Sequence, residues 1–261
     1  MLVSLIITTF NRSDALLHVL KSVEIQTKLP NEVIIADDGS DNQTQKIISE
    51  FIDSSPLNII YLWHKDKGFR AALARNKAIA KANSDYIILI DGDVVLHPCF
   101  VMDHTKNSKP GYFVQGSRVL LKKEKTNDIL KGVDIKFSFF SKGLSNRKNM
   151  IHSFWLSSIF STQSRHLEGI KTCNMAFFRQ DCININGFNN DFEGWGREDS
   201  EFAVRLLNNR IKRKNLRFNA IQFHLFHQEN SRKTLMRNDF LLEEAVNNKS
   251  IWCNNGISKF L

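Results

Sequence analysis

The chain has 261 residues, 42% hydrophobic and 24% charged, an ordinary balance for a globular protein with a sizeable core. Its net charge of +9 implies an anionic partner, but no nucleic-acid module or evenly interleaved aromatics accompany the basic residues, which points away from nucleic acid and towards diphosphates and anionic lipid head groups. The four cysteines, Cys99, Cys173, Cys182 and Cys253, make no Cys-x-x-Cys pair, which argues against a zinc site or a disulfide framework and fits a reducing compartment.

In chain order, the apolar opening Met1 to Phe10 lacks a basic leader and meets polar Asn11-Arg12-Ser13-Asp14 too early for a signal peptide or membrane span. Val3 to Thr9 therefore reads as a strand. Ser13 or Asp14 can cap a helix with Leu16, Leu17, Leu20 and Val23 on one face, and Pro30 restarts the chain. Val33 to Ala36 is a second strand, followed by Asp37-Asp38-Gly39-Ser40 and a helix that Asp41 can cap. Asn58 to Leu62 reads as strand, Arg70 to Ala82 as an alanine-rich helix, and Tyr86 to Ile90 as a fourth strand. Alternation of this kind predicts an α/β fold with a mostly parallel, Rossmann-like sheet flanked by helices. We expect one domain over 1–261, with a nucleotide-sugar half (1–121) and an acceptor and catalytic half (122–261).

The fourth strand runs into Asp91-Gly92-Asp93, whose two carboxylates packing does not explain. An Asp-Gly turn closing a hairpin is one account; a divalent cation drawing both carboxylates together is the other. Polar residues collect at the carboxyl ends of the early strands (Thr8, Thr9, Asp37, Asp38, Asp91, Asp93), where ligands gather in open α/β sheets.

From Lys122 to Ile170 the pattern weakens, and Phe137, Phe139, Phe140, Phe154, Trp155 and Phe160 lack clean periodicity. Such residues suit an acceptor-side lobe, a membrane- or partner-facing patch, or ordinary core. Asn174 to Phe178 then reads as strand, Arg179 to Asn184 as a short helix, and Glu198 to Asn209 as a longer one. Trp195-Gly196-Arg197-Glu198-Asp199 thus falls at a helix N-terminus, where the dipole by itself favours carboxylates. Ala220 to Phe226 is a late strand, followed by His227.

Taken together, Ser4 to Arg12, Ala36 to Ser40, Gly68 to Asn76, Asp91-Gly92-Asp93 and Gly194 to Asp199 resemble the inverting GT-A glycosyltransferases of family two. The Trp-Gly-x-Glu-Asp element also resembles that of β-1,4-galactosyltransferases and bacterial chondroitin-type polymerases. The resemblance implies a GT-A fold and transfer of a hexose or N-acetylhexosamine from a UDP-sugar to a saccharide hydroxyl. It implies Mn2+, or Mg2+, held by Asp93 with Asp91 on the ribose or in the metal shell, and by His227, with His224 as competitor. It places Thr8, Phe10, Arg12 and Asp38 around the base, and Arg70 and Arg75 near the ribose or diphosphate. Asp199 is the implied general base, Glu198 holds sugar hydroxyls, and Trp195 stacks on a sugar face. Ser200 and Arg197 depart from the related pattern, which often has an acidic residue and a glycine there, so the transferred sugar does not carry over.

The expected setting is surface-polysaccharide synthesis in the bacterial cytoplasm, at the inner face of the plasma membrane, on an oligosaccharide or lipid-linked acceptor. Two competing readings are a nucleotidyltransferase, which the lack of a glycine-rich phosphate loop after the first strand disfavours, and a catalytically silent sugar-nucleotide- or membrane-binding module.

Overall fold

The computed structural model describes residues 1–132, 137–228 and 232–261. Strands β1 (Val3–Thr9), β2 (Glu32–Asp37), β3 (Ile59–Trp63) and β4 (Tyr86–Asp91) are linked by helices α1 (Ser13–Glu24), α2 (Asn42–Ser54) and α3 (Ala71–Lys81). They pair in parallel in the order β3-β2-β1-β4. Both faces of β1, β2 and β4 are buried, so their sequences are almost continuously apolar, whereas β3 at the sheet edge is half-buried. Successive side chains point to opposite faces: Leu5, Ile7, Val33, Ile35, Ile88 and Ile90 pack with Leu16, Val19, Leu20 and Val23 of α1. Ile6, Ile34, Ile87 and Leu89 pack with Ala72, Ala78 and Ile79 of α3. Asp41 caps α2 as the sequence predicts, accepting from Thr44 N at 2.8 Å.

Beyond β4 come β5 (Val94–Leu96), α4 (Phe100–Asn107), β6 (Tyr112–Gln115), β7 (Arg118–Leu121), α5 (Lys123–Leu130), β8 (Leu144–Ser145), α6 (Phe154–Phe160) and β9 (Thr162–Ser164). Then follow β10 (Asn174–Phe178), α7 (Arg179–Ile183), α8 (Glu198–Asn208), β11 (Lys212–Asn215), β12 (Gln222–His224) and α9 (Leu235–Asn247). The large sheet has the order β3-β2-β1-β4-β10-β6-β11-β9, and a smaller one the order β5-β12-β7-β8. Strand β10 runs antiparallel to β4, with Asn174 opposite Ile90. The start of β10 therefore lies at the carboxyl end of β4, beside Asp91.

The late strand is shorter than the expected Ala220 to Phe226. Phe218 (φ 63°) and Ala220 (φ 51°) are left-handed and interrupt extended backbone before it. After it, Leu225 N donates to the Asp93 carbonyl at 2.9 Å, which carries the β12–β5 register on to the Asp91-Gly92-Asp93 turn. The aromatic-rich segment divides between core and surface. Phe137 stacks on Phe223 with ring centroids 4.0 Å apart, whereas Phe140 and Trp155 are 85% and 70% exposed. No helix among the described residues is long and apolar enough to cross a membrane.

Candidate active site

An open cleft of about 1350 Å³ lies over the carboxyl ends of β1 and β4. It exceeds the upper end of the roughly 300–1,000 Å³ usual for one small ligand, so two substrates have room to meet. Thr8, Phe10, Arg12, Asp38, Arg75, Asp91, Asp93, Trp195, Glu198, Asp199, His224 and His227 all line it.

Two turns build the floor. Gly92 N donates to Thr8 O at 2.8 Å, which folds the Asp91-Gly92-Asp93 turn over the end of β1. A Cβ at Gly92 would lie 2.9 Å from Thr9 Oγ1, so the close approach requires glycine. In the other turn, Asp37 Oδ1 accepts from Gly39 N and Ser40 N at 3.1 and 2.8 Å, and its Oδ2 from Tyr61 at 2.7 Å. Asp37, which the sequence grouped with the strand-end ligand set, is therefore a turn-former outside the cleft lining.

The two aspartates of the turn face different partners. Asp93 has His224 Nε2 and His227 Nε2 each 3.6 Å from its carboxylate. Both rings have Nδ1 against a backbone carbonyl, of Leu225 at 3.0 Å and of Gln228 at 2.7 Å. With Nδ1–H donating there, both Nε2 atoms would turn lone pairs towards the carboxylate, an arrangement that could hold a cation between them. Asp93 Oδ1 is buried with no hydrogen-bond partner among the described residues. Burial also holds His224 below its ordinary pKa despite the neighbouring Asp93, which favours the uncharged ring. One carboxylate and two imidazoles fit a transition-metal dication such as Mn2+ better than Mg2+. The sequence treated the histidines as competitors; the structure brings both to Asp93.

Asp91 stands outside that trio, with Arg75 Nη2 3.6 Å from it. Arg75 is 4% exposed and donates from Nη1 to Glu198 at 3.3 Å. Burial works against its charge, yet Glu198, Asp91 and Asp199 together raise its pKa. The Arg70 guanidinium donates to Lys65 O at 2.6 Å and does not line the cleft; its backbone N–H instead donates to Asp38 at 2.6 Å. The other Asp38 oxygen is 2.9 Å from His64 Nε2, a partner sequence reasoning missed.

At the start of α8, Asp199 Oδ2 accepts from Thr172 N at 3.0 Å and lies 3.4 Å from its hydroxyl. Thr172 went unnoticed because only the antiparallel placement of β10 brings the residues before that strand into the site. Arg118, Lys171 and Cys173 enter the cleft in the same way or from β7. Burial, reinforced by Asp91, pushes the Cys173 thiol up to about 12, which excludes it as a nucleophile at neutral pH. Glu198 is pushed up to about 8 by burial and by Asp199, against the pull of Arg75. Desolvation thus outweighs the helix dipole that the sequence invoked. Arg197 has φ 79°, the region that favours glycine, which accounts for glycine at this point of the related motif; its Nε donates to Asp239 at 2.5 Å.

The model of the family described as glycosyl transferase family 2 matches residues 4–168, well over half of the chain. The chain belongs to glycosyl transferase family 2. A second model, for the N-terminal domain of galactosyltransferase, matches 157–228, a span that includes the Trp-Gly-x-Glu-Asp element and both cleft histidines. This family 2 chain is 30% identical to a hyaluronan synthase of Pasteurella multocida over 233 residues, taking in 78% of the chain and 22% of that protein. It is 28% identical to a chondroitin synthase of Escherichia coli over 233 residues, with 78% and 32% covered. The chain therefore spans about a fifth to a third of those relatives. Among solved structures, residues 1–349 of Staphylococcus aureus TarS superpose with a TM-score of 0.64 at 16% identity, covering 95% of this chain and 65% of that one. A mannosyltransferase of Pyrobaculum calidifontis, in complex with GDP-Man and Mn2+, gives 0.60 at 16% identity, covering 87% and 57%. These likenesses establish the GT-A fold.

Proposed function

We propose that this family 2 chain transfers a hexose or N-acetylhexosamine from a UDP-sugar to a saccharide hydroxyl with inversion at C1. The observation that carries the proposal is the pairing, in one cleft, of a cation-ready trio (Asp93, His224, His227) with a separate carboxylate, Asp199, fixed by a backbone N–H. Thr8, Phe10, Arg12 and Asp38 line the end of the cleft we assign to the nucleoside, and Trp195, 40% exposed, offers a face for a sugar ring. Asp93 and the two histidines would hold a divalent cation, which would supply positive charge for the leaving diphosphate. Arg75 fixes Asp91 and Glu198 relative to each other, and Asp199 accepts the acceptor hydroxyl proton. As that oxygen bonds to C1, the C1–O bond to the diphosphate breaks and UDP leaves with the electron pair. Support for the donor class comes from a TarS structure solved with UDP-GlcNAc, which shares this fold.

We further place the acceptor on a lipid carrier at the cytoplasmic membrane face, in polysaccharide assembly. The support is the exposure of Phe140, Trp155 and Phe160 on a chain of net charge +9. We read 1–261 as one functional unit, since β10 from the later half completes the sheet beside β4.

The test is incubation with Mn2+, a panel of UDP-sugars and mixed saccharide acceptors, following UDP release. Release with one donor, abolished by chelation and by Asp199→Asn, is expected. Turnover that survives either treatment, or none with any donor and acceptor pair, counts against the reading. Flotation with anionic liposomes tests the membrane placement, and failure to float rejects it.

A further inference from the structure

Away from the cleft, the turn between β5 and α4 brings His97 and Cys99 against His152, which precedes α6. One ring nitrogen from each histidine and Cys99 Sγ all lie within 4.8 Å of one another, and none of the three residues lines the cleft. The His97 and His152 rings stack at 4.7 Å with 22° between their planes. We propose that His97, Cys99 and His152 form a second metal site, for a borderline-soft dication of the zinc class.

Three observations carry this. The donor set is one thiolate and two imidazoles, which selects zinc over magnesium or calcium. With Zn–S near 2.3 Å and Zn–N near 2.0–2.1 Å, tetrahedral ligand atoms sit roughly 3.5 Å apart, so each side chain need close by less than about 1 Å.

The backbones carrying the ligands are already fixed. His97 N donates to Ile221 O at 3.0 Å, Gln26 Nε2 to His97 O at 2.9 Å, and Thr27 N to Pro98 O at 2.9 Å. On the other side, Ser153 N donates to Phe218 O at 2.9 Å. Such a frame gives the pre-organisation a metal site needs.

The third observation is the partner of His152. Its Nε2 lies 3.0 and 3.2 Å from the two oxygens of Asp103, a fully buried carboxylate that also accepts from Ala220 N at 2.8 Å. A carboxylate behind a histidine fixes its tautomer and raises its basicity as a ligand. With Nε2–H given to Asp103, Nδ1 keeps the lone pair. His97 Nδ1 accepts from Cys99 N at 3.2 Å, a long bond that metal binding at that nitrogen would exchange. Binding expels the Cys99 proton to solvent and leaves a fourth position to water. The bound ion would tie the turn before α4 to the segment leading into α6, and so anchor the helix that carries Trp155. The absence of a Cys-x-x-Cys pair concealed this site, because its ligands are a His-x-Cys step and a histidine more than fifty residues later.

Cobalt titration of the reduced full chain tests the proposal, because a thiolate-to-cobalt charge-transfer band in the near ultraviolet reports sulfur ligation, which the Asp93 site cannot give. We expect a saturable band, lost in Cys99→Ser and at least tenfold weaker in apparent affinity in His152→Ala, with UDP-sugar turnover unchanged in both variants. No band in the wild-type protein, or a band that persists in Cys99→Ser, overturns it. Should the variants fail to fold, alkylation of Cys99 in the wild-type chain, followed by peptide mass mapping, replaces them. Zn2+ is expected to slow that alkylation at least tenfold, and an unchanged rate rejects the site.

Discussion

Arg75 donates to Glu198 at 3.3 Å across 123 positions of sequence, both side chains nearly closed to solvent. The contact joins α3, which follows the third parallel strand, to the helix that opens with Glu198-Asp199. It also leaves Glu198 Oε2 without a partner among the described residues. Arg75 thereby spaces the turn after β4 from the N-terminus of α8, with Asp91 on one side and Glu198 on the other.

Glu198 makes stability depend on pH in an unusual direction. Its folded pKa, about 8, lies above the ordinary 4.5, so between these values the folded state holds a proton that the unfolded state has released. This contribution is fully present below about 4.5 and is lost as pH rises towards 8. Glu198→Gln is expected to flatten the fall in Tm between about pH 5 and 8. Thermal melts across that range decide it, and an unchanged slope counts against the assignment.

Asp199→Asn is expected to lower kcat by about 10²–10⁴-fold, the usual worth of a positioned base. The side chain keeps its size and can still accept from Thr172 N, so donor affinity by calorimetry should stay within roughly threefold. Parallel losses of donor affinity and rate would mean instead that Asp199 holds the donor.

Replacing either His224 or His227 by alanine is expected to weaken Mn2+ binding at least about tenfold, because each supplies one Nε2 facing Asp93. Manganese titration followed by electron paramagnetic resonance measures this directly. A variant that binds Mn2+ as tightly as the wild type removes that histidine from the metal shell.

Arg197→Gly sets two small effects against each other. Relief of the left-handed backbone at φ 79° is worth about 1–2 kcal/mol, whereas the half-exposed pair with Asp239 contributes roughly 0–1 kcal/mol. The variant should therefore melt at the same temperature or slightly higher. A clearly lower Tm would show that the Asp239 contact is worth more than an exposed pair.

The parallel half of the fold was legible because strands buried on both faces must be apolar and their crossovers amphipathic; Val3–Thr9 is observed as predicted. That Asp93, Asp199 and His227 would meet in one cleft was legible, since carboxylates and a histidine at strand and helix ends have few packing roles. Short strands such as β5 and β9, three residues each, carry too little periodicity to read. Thr172, His64 and the burial of Arg75 depend on which strand lies beside which, and no local pattern encodes that.

The antiparallel placement of β10 also has a kinetic side. The edge of β4 opposite β1 stays open until residues 174–178 have been made and folded back, more than eighty positions after β4 ends. Non-local closure of this kind is slow and leaves a strand edge exposed in the meantime. The strand that presents Asp91 is thus finished late, so a nascent or truncated chain can hold a formed parallel sheet before it holds a working cleft.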